Sequence, residues 1–491
     1  MTVATRGDPL SILRRRLLEV GYHLPAHAAM LSAARGTPAE RLDAALELTE
    51  GDDALSVALR LFAVGADVTR GSAARAVGDE AVHALVERGL LERVDGRVRS
   101  RFAVAFLGEA AAAQDFLLCP RPEASEELVT PVAGATRMLI SLTVPASRGR
   151  VLEIGTGQGL PIAAASTWAG QAVGTDISRR ALRCAALTAA LNDRTNVELR
   201  EGSLFEPVAG EPAVFDSLIS NPPFVLSPAG AQTALSSGPG NDQASFTERV
   251  VRGAGAVLRD GGFATILGNW GHAAGSPWDA PVRGWMENAG CDAMVLGVRT
   301  QSARQYAVTW RREMRLLEPA RDPAPLEAWL SMFERLGWQE ITFGVIVLRR
   351  RNGSNWFHAE RRSTAGLGDA GGAQLRRWFD GRTALHSAAT PQALLQRTFR
   401  VAPSLELVGR PAPIGKADFG VLAGVLRQTD GWPEAMQIDP LPLAVLMGCD
   451  GRRDLRGVIA ASASSRGMNA DRLQALVLPL VRRWLEMGYL S

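Results

Sequence analysis

An amide, two prolines and an aromatic ring stand together in Asn221-Pro222-Pro223-Phe224, directly after an apolar run that ends at Ser220. An amino or amide nitrogen conjugated to a ring or a carbonyl is a poor nucleophile, because its lone pair is delocalised. The Asn221 side-chain oxygen and the Pro222 carbonyl could accept hydrogen bonds from such a nitrogen and localise that pair. The two prolines would hold these acceptors fixed, and Phe224 would offer a flat face to a planar group.

A second group of residues with chemical potential begins where an apolar run, Val151–Ile154, leads into Gly155-Thr156-Gly157-Gln158-Gly159. Glycines allow the backbone to turn tightly and to approach a ligand closely. The next strand-like run delivers Asp176, 17 residues after Gly159. A carboxylate at the carboxyl end of such a strand can accept hydrogen bonds from both hydroxyls of a ribose. The pair of signals predicts a site for a nucleoside-containing cofactor.

The glycine spacing separates the possible cofactors. GxGxG after a strand that carries Glu153, in place of GxGxxG, resembles the class I SAM-dependent methyltransferases. The tetrapeptide 221–224 resembles the (N/D)PP(F/Y) motif of the HemK-type glutamine, adenine-N6 and guanine-N2 ribosomal RNA methyltransferases. This resemblance covers residues 126–350 and is specific over 151–228. Residues 119–123 are similar to a PRPE(T) stretch before the HemK-type core, and the whole chain resembles multidomain actinobacterial methyltransferases.

The resemblance implies a role for each matching residue. S-adenosyl-L-methionine (SAM) is the implied cofactor, with Glu153 orienting its methionine end and Asp176 holding its ribose. Ser203 stands where the family often has an acid that reads adenine, so adenine recognition would use Ser203 without a charge, Leu204 or Phe205, and backbone groups. The implied cofactor set is Glu153, Gly155, Thr156, Gly157, Gly159, Asp176, Ile177, Ser203, Leu204 and Asn221. The implied catalytic set is Asn221, Pro222, Pro223 and Phe224.

The elements that must position these residues form an α/β pattern, in which strand-like runs alternate with helical stretches between residues 106 and 350. The sequence predicts a Rossmann-like methyltransferase domain with seven strands, at 150–154, 171–175, 197–200, 217–220, 263–267, 293–298 and 341–349. Residues 227–243 are polar and rich in Gly and Ser, which suits either a substrate loop or a solvated loop. After the fifth strand, Asn269 and Trp270 could line the pocket, although a tryptophan there is more often core.

Flanking domains are predicted on both sides of this core. The sequence of residues 1–105 predicts helices followed by a hairpin at Asp95-Gly96. This is the order of elements in a winged-helix-like module. Residues 351–374 are rich in Gly and Ser and predict a linker. Residues 375–491 end in a helix, a glycine and an apolar segment, which predicts a second helical or winged-helix-like domain.

Length, charge and cysteine content limit the number of domains and the class of protein. The chain has 491 residues, 46% of them hydrophobic, and a formal net charge of +3. That length predicts about two to four domains, and the near-balanced charge gives no strong footprint for nucleic acid. Four scattered cysteines without a CxxC pair, and a start without an apolar segment, predict a cytoplasmic protein with no metal site and no membrane segment.

The sequence favours a SAM-dependent N-methyltransferase that acts on a planar conjugated nitrogen: amide, exocyclic amino or guanidino. It leaves open whether the acceptor is an RNA or DNA base, a protein side chain or a small metabolite. One alternative is a nucleic-acid-binding regulator with winged helices and a SAM-sensing Rossmann domain. Another is an enzyme that consumes SAM without transferring its methyl group.

Overall fold

The computed structural model describes residues 8–23, 38–116, 128–228, 245–317, 324–388, 390–413 and 419–491. The chain divides into two compact units, one made of residues 1–140 and 146–363, the other of residues 141–145 and 364–491. Among the described residues, no helix is long and apolar enough to cross a membrane. The PRPE-like stretch 119–123 lies outside the described residues.

The first unit begins with a helical part that ends in two hairpins. Asp8 begins the first helix by accepting a hydrogen bond from the Leu10 amide at 2.9 Å, as an N-cap does. The helices are Pro9–Glu19, Pro38–Leu48, Ala54–Leu59, Arg70–Val77 and Asp79–Glu87, with a π-helix at Arg60–Val64. The strands are β1 (Val68–Thr69), β2 (Leu91–Val94), β3 (Arg97–Ser100), β4 (Ala103–Leu107) and β5 (Ala110–Gln114).

The hairpin predicted at Asp95-Gly96 is present between β2 and β3. Both turn residues have positive φ, 49° and 76°, which is what a two-residue hairpin turn needs. β1 pairs with β3, so the small sheet has the order β1-β3-β2. Helices followed by such a hairpin have the order expected for a winged-helix-like module, and that assignment stays a prediction.

The boundary predicted between residues 105 and 106 falls inside β4. β4 and β5 form a buried hairpin, and the hydrophobic core of the helical part extends to Ala190 and Leu191. The helical part and the following α/β part therefore share packed residues within this unit.

An eight-stranded sheet forms the rest of the first unit, in the order β13-β11-β12-β10-β9-β6-β7-β8. All seven predicted strands are present. The strands are β6 (Arg150–Ile154), β7 (Gln171–Asp176), β8 (Val197–Glu201), β9 (Phe215–Ser220), β10 (Leu258–His272), β11 (Cys291–Ser302), β12 (Glu340–Arg350) and β13 (Phe357–Arg361). The helices of this part are Gly134–Leu142, Leu160–Ala165, Arg179–Leu191, Phe246–Val257, Ala280–Trp285, Ala303–Leu317 and Leu326–Arg335.

Strand direction places one edge of this sheet at the candidate site. β6, β7, β8, β9 and β10 are parallel, whereas β12 runs antiparallel to β10 and β11. The strand order reverses between β6 and β9, and ligands of open α/β sheets bind at the carboxyl ends of the strands beside such a reversal.

Within the predicted linker 351–374, Phe357–Arg361 forms β13 and pairs in parallel with β11. Asp292 fixes the intervening turn by accepting hydrogen bonds from the Trp356 amide at 3.1 Å and from Arg351 Nε at 2.7 Å. The polar strand Phe-His-Ala-Glu-Arg at the sheet edge lacks an apolar pattern, so periodicity could not reveal it.

The second unit consists of helices and three small antiparallel pairings. Its helices are Gly371–Ser387, Pro391–Leu395, Pro440–Gly448, Leu455–Ser464 and Ala470–Glu486. Its strands are β14 (Thr398–Arg400), β15 (Leu405–Pro413), β16 (Phe419–Gln428), β17 (Ala435–Ile438) and β18 (Asp450–Asp454). The sheet β15-β16-β17 was not predicted. The apolar segment after the last helix forms only a single bridge, from Leu490 to Val401.

Candidate active site

A cavity of about 400 Å³ opens at the carboxyl ends of the parallel strands. Nine of the ten predicted cofactor residues line it, and Gly159 is the exception. The wall segment 128–131 also lines it, as do Phe246 and Arg249 of the helix Phe246–Val257. None of these residues was predicted from the sequence. These residues lack a motif of their own, and only the folded chain brings them to the cavity.

Glu153 is the next-to-last residue of β6 and lies at the base of the cavity with only 1% of its surface exposed. Its carboxyl accepts hydrogen bonds from Thr156 Oγ1 at 2.6 Å and from the Ile162 amide at 3.1 Å. Burial raises the pKa of Glu153 to about 8, against the lowering effect of those two hydrogen bonds. A cationic ligand group in the cavity would reverse this effect and favour the carboxylate.

The glycine turn follows Glu153 and has the backbone conformation that its sequence predicts. Gly155, Gly157 and Gly159 all have positive φ, between 54° and 79°. A Cβ on Gly159 would meet the Ala185 Cα at 2.6 Å, so this glycine is required for close packing of the helix Arg179–Leu191. Gly159 therefore shapes the cavity from behind, which explains why it is not itself a lining residue.

Asp176 ends β7 and connects this strand end to the glycine turn. Its carboxylate accepts hydrogen bonds from the Gly157 amide and from the Ser178 amide, both at 2.9 Å. The next side chain, Ile177, lines the cavity with 73% of its surface exposed. A large apolar side chain left open in a cavity suits contact with an aromatic base.

Beyond β8, Ser203 and Leu204 reach the cavity with Gly202, whereas Phe205, also predicted to contact adenine, does not line it. Ser203 lines the cavity, and its amide donates to Glu206 at 3.2 Å. Leu204 also lines it and has a φ of 48°, a conformation that costs energy for a residue other than glycine. The adenine-reading roles of Ser203 and Leu204 stay predictions.

The motif after β9 contributes Asn221 and Pro223 to the cavity wall, whereas Pro222 and Phe224 do not line it. Among the described residues, the buried Asn221 Oδ1 has no hydrogen-bond partner. A buried acceptor without a donor costs free energy, and a ligand N–H in the cavity would satisfy it. Phe224 instead packs against Phe343 and Trp310, with ring centroids 5.5 and 6.1 Å away.

Two buried side chains that carry no motif fix the loop after the tetrapeptide. Asn269 Nδ2 donates to the Phe224 carbonyl and to the Tyr306 hydroxyl, each at 3.1 Å. The Leu226 amide donates to the same hydroxyl at 2.9 Å. The sequence predicted that Asn269 could line the pocket, whereas no pattern in the sequence pointed to Tyr306. Trp270 lies in the core, 1% exposed, and the part of the predicted loop at 229–243 lies outside the described residues.

Tyr306 belongs to a pair of helices, Ala303–Leu317 and Leu326–Arg335, that the chain inserts between β11 and β12. These helices have a separate aromatic core against the loop residues Val225 and Leu226. The pair therefore packs directly on the segment that follows the motif.

The residues around the cavity fit SAM by their chemistry. A buried carboxyl at the base suits the cationic methionine end, a second carboxylate suits ribose hydroxyls, and an exposed apolar side chain suits adenine. The unpartnered amide oxygen of Asn221 lies in the same cavity.

Comparison with known proteins agrees with this geometry. Residues 131–272 match the family model of the methyltransferase small domain. Over 140 residues the chain is 36% identical to the release factor glutamine methyltransferase of Xylella fastidiosa, covering 26% of this chain and 50% of that protein. Over 136 residues it is 32% identical to the ribosomal RNA small subunit methyltransferase C of Salmonella choleraesuis, covering 27% and 35%.

Solved structures were also compared. The YcgJ protein of Bacillus subtilis matches at a TM-score of 0.29 and 14% identity, over 45% of this chain and 99% of that one. A phosphoethanolamine N-methyltransferase of Haemonchus contortus bound to SAM matches at a TM-score of 0.29 and 15% identity, over 46% and 54%.

The chain spans half or less of the curated relatives that it matches. It contains a methyltransferase domain within a Rossmann-like α/β sheet, and the residues that line the cavity of that domain fit SAM as its cofactor. The predicted domain type and cofactor are thereby confirmed, and the predicted HemK-type relationship is supported by the first relative.

Proposed function

We propose that this protein methylates a planar conjugated nitrogen, in an amide, exocyclic amino or guanidino group, with SAM as the donor. The observation that carries the proposal is the buried Asn221 Oδ1, which has no hydrogen-bond partner in the described part of the chain. It lies in the cavity whose other walls bear the cofactor residues. An acceptor N–H is the group that this oxygen lacks.

The residues of this chain act by positioning and by accepting hydrogen bonds. Asn221 would take one N–H hydrogen bond of the acceptor and so help to localise the nitrogen lone pair. The Pro222 carbonyl, predicted from the sequence to take the second, does not line the cavity. Bound SAM would supply a methyl group that its positive sulfur activates. The acceptor nitrogen would gain this methyl group as the carbon–sulfur bond breaks, S-adenosylhomocysteine would leave, and the nitrogen would release one proton. Because the donor is already activated, no strong base is required, and orientation supplies much of the rate.

Three acceptor classes fit this chemistry: a base of RNA or DNA, a glutamine or arginine side chain of a protein, and a small metabolite. The names of the two relatives give precedents for glutamine and for ribosomal RNA. Both acceptors present a nitrogen conjugated to a carbonyl or a ring, which is the feature that Asn221 would recognise.

The test is transfer of labelled methyl from SAM into separated RNA, protein and small-molecule fractions of a host extract. Asn221→Ala should lower transfer about 100-fold or more, a larger effect than any weakening of SAM binding. Asn352→Ala, an exposed asparagine in the turn after β12, is the matched control and should transfer normally. Normal transfer by Asn221→Ala, or SAM binding by wild type without transfer into any fraction, would contradict the proposal.

A further inference from the structure

One wall of the SAM cavity comes from outside the strands and helices of the α/β core. Leu128, Val129, Thr130 and Pro131 line the cavity and belong to no helix or strand. Two side chains at the end of β5 hold this wall. The Val129 amide donates to Asp115 Oδ2 at 2.9 Å, and the Val132 amide donates to Gln114 Oε1 at 3.0 Å.

Asp115 also binds the helix that follows the ribose-binding carboxylate. It forms an ion pair with Arg180, in which the side chains are only 4% and 15% exposed, and Arg180 Nε donates to Asp115 Oδ2 at 3.3 Å. The next helix residue, Ala181, lines the cavity. A single buried carboxylate therefore joins β5, the cavity wall and the helix Arg179–Leu191.

A second connection runs from β5 to the glycine turn. The Ala113 amide donates to Thr188 Oγ1 at 2.9 Å, and the same hydroxyl donates to the Gln158 carbonyl at 2.6 Å. Gln158 lies within the turn that lines the cavity. Both routes are short and buried, so a displacement of β5 would move two sides of the cofactor site.

We propose that Asp115 and Gln114 are positioning residues for SAM and make the N-terminal part of the chain a component of the cofactor site. Removing the Asp115 carboxylate leaves the Val129 amide and the Arg180 guanidinium without this partner in a buried region, and the wall then loses its position. Because coupling between sites is reciprocal, bound cofactor should in turn stabilise the wall and β5. This inference rests on the SAM cavity and not on the acceptor proposed above.

The test is the affinity of the full chain for S-adenosylhomocysteine, measured by calorimetry, together with melting temperature. Asp115→Ala should raise the Kd about tenfold or more. The matched control is Asp8→Ala. Asp8 is a similarly buried aspartate of the N-terminal part, and it also binds a backbone amide and an arginine, Leu10 at 2.9 Å and Arg88 at 2.8 Å. Asp8→Ala should lower the melting temperature and leave the Kd unchanged.

Hydrogen exchange separates positioning from general destabilisation. Bound S-adenosylhomocysteine should slow exchange of the Val129 and Val132 amides in wild type and in Asp8→Ala, but not of Val129 in Asp115→Ala. If Asp115→Ala does not fold, Asp115→Asn and Gln114→Ala take its place, each with a raised Kd expected. Wild-type Kd in folded variants at both positions would overturn the inference. Methyl transfer is not needed for these measurements, so a protein that binds the ligand and methylates nothing would fail only the proposed function.

Discussion

The candidate site contains two side chains, Glu153 and Asn221, whose buried oxygens have opposite hydrogen-bonding states. Glu153 has donors from Thr156 and Ile162, yet burial raises its pKa to about 8. Asn221 Oδ1 is buried and has no donor among the described residues. The first group is suited to a cation, since a positive charge would favour its ionised form. The second is suited to an N–H donor. In the proposed reaction, Glu153 would therefore contact SAM and Asn221 would contact the acceptor.

Glu153 makes the stability of the ligand-free protein depend on pH. Unfolded, this carboxyl ionises at its ordinary pKa of about 4.5, whereas in the folded protein its pKa is about 8. Its contribution to stability is therefore present below pH 4.5 and is lost as pH rises to about 8. Relative to Glu153→Gln, the free energy of unfolding of wild type should fall between these values by up to about 1.4 kcal/mol per pH unit.

Denaturant unfolding of both proteins at intervals from pH 5 to pH 9 measures this difference. Parallel curves for wild type and Glu153→Gln would show that the carboxyl is not held protonated. In the presence of SAM the wild-type slope should decrease, because the cationic ligand favours the carboxylate.

At the scale of secondary structure, the inserted helices at 303–317 and 326–335 hold the loop that follows the motif, although they lie far from it in the sequence. Tyr306 and Asn269 hold the backbone at Phe224 and Leu226 by three hydrogen bonds, and the aromatic core of the inserted helices packs behind it. The proline pair restricts the motif locally. The inserted helices determine where the restricted loop lies, so acceptor placement depends on both.

Tyr306→Phe should lower methyl transfer about tenfold while leaving SAM affinity unchanged. The substitution removes a hydroxyl that accepts from the Leu226 amide and from Asn269, and each buried donor left unpaired costs about 1–3 kcal/mol. Initial rates and calorimetric Kd values measure the two quantities. Tyr489→Phe is the control, because the Tyr489 hydroxyl is buried in the second unit and has no hydrogen-bond partner among the described residues. Equal rates for the two variants would exclude a positioning role for Tyr306.

At the scale of the whole molecule, charge argues against the nucleic-acid-binding regulator. The net charge of the chain is only +3. In the predicted winged-helix-like module, the helix before the hairpin, Asp79–Glu87, would be the groove-binding helix. It exposes Asp79, Glu80, His83 and Glu87. Carboxylates on that face would repel phosphates. The module that connects to the SAM cavity through β5 is thus poorly suited to bind DNA by this helix.

The full chain should bind mixed-sequence DNA no more tightly than about 10⁻⁶ M at physiological salt. Filter binding across a salt series measures both the affinity and its dependence on ionic strength. Nanomolar, strongly salt-dependent binding without methyl transfer would favour the regulator over the enzyme. Charge reversal at Glu80 and Glu87 to Lys should increase binding if the helix faces the DNA and leave it unchanged otherwise.

Local sequence determined the parts of this protein whose physical cause is local. Apolar runs of strand length predicted all seven strands, because the burial of a parallel sheet requires them. The glycine turn could be predicted because Gly155, Gly157 and Gly159 need positive φ. The acids at strand ends could be predicted to share one cavity because parallel strands bring their carboxyl ends to one edge.

Tertiary structure alone decided the rest. β13 is a polar edge strand fixed by Asp292, so its position depends on a neighbour and not on its own pattern. Tyr306 lies 80 residues from Leu226 and meets it only because two helices are inserted between β11 and β12. Asp115 acquires its role from Val129 and Arg180 together. Contacts of this kind join distant parts of the chain, and periodicity and motif spacing do not encode them.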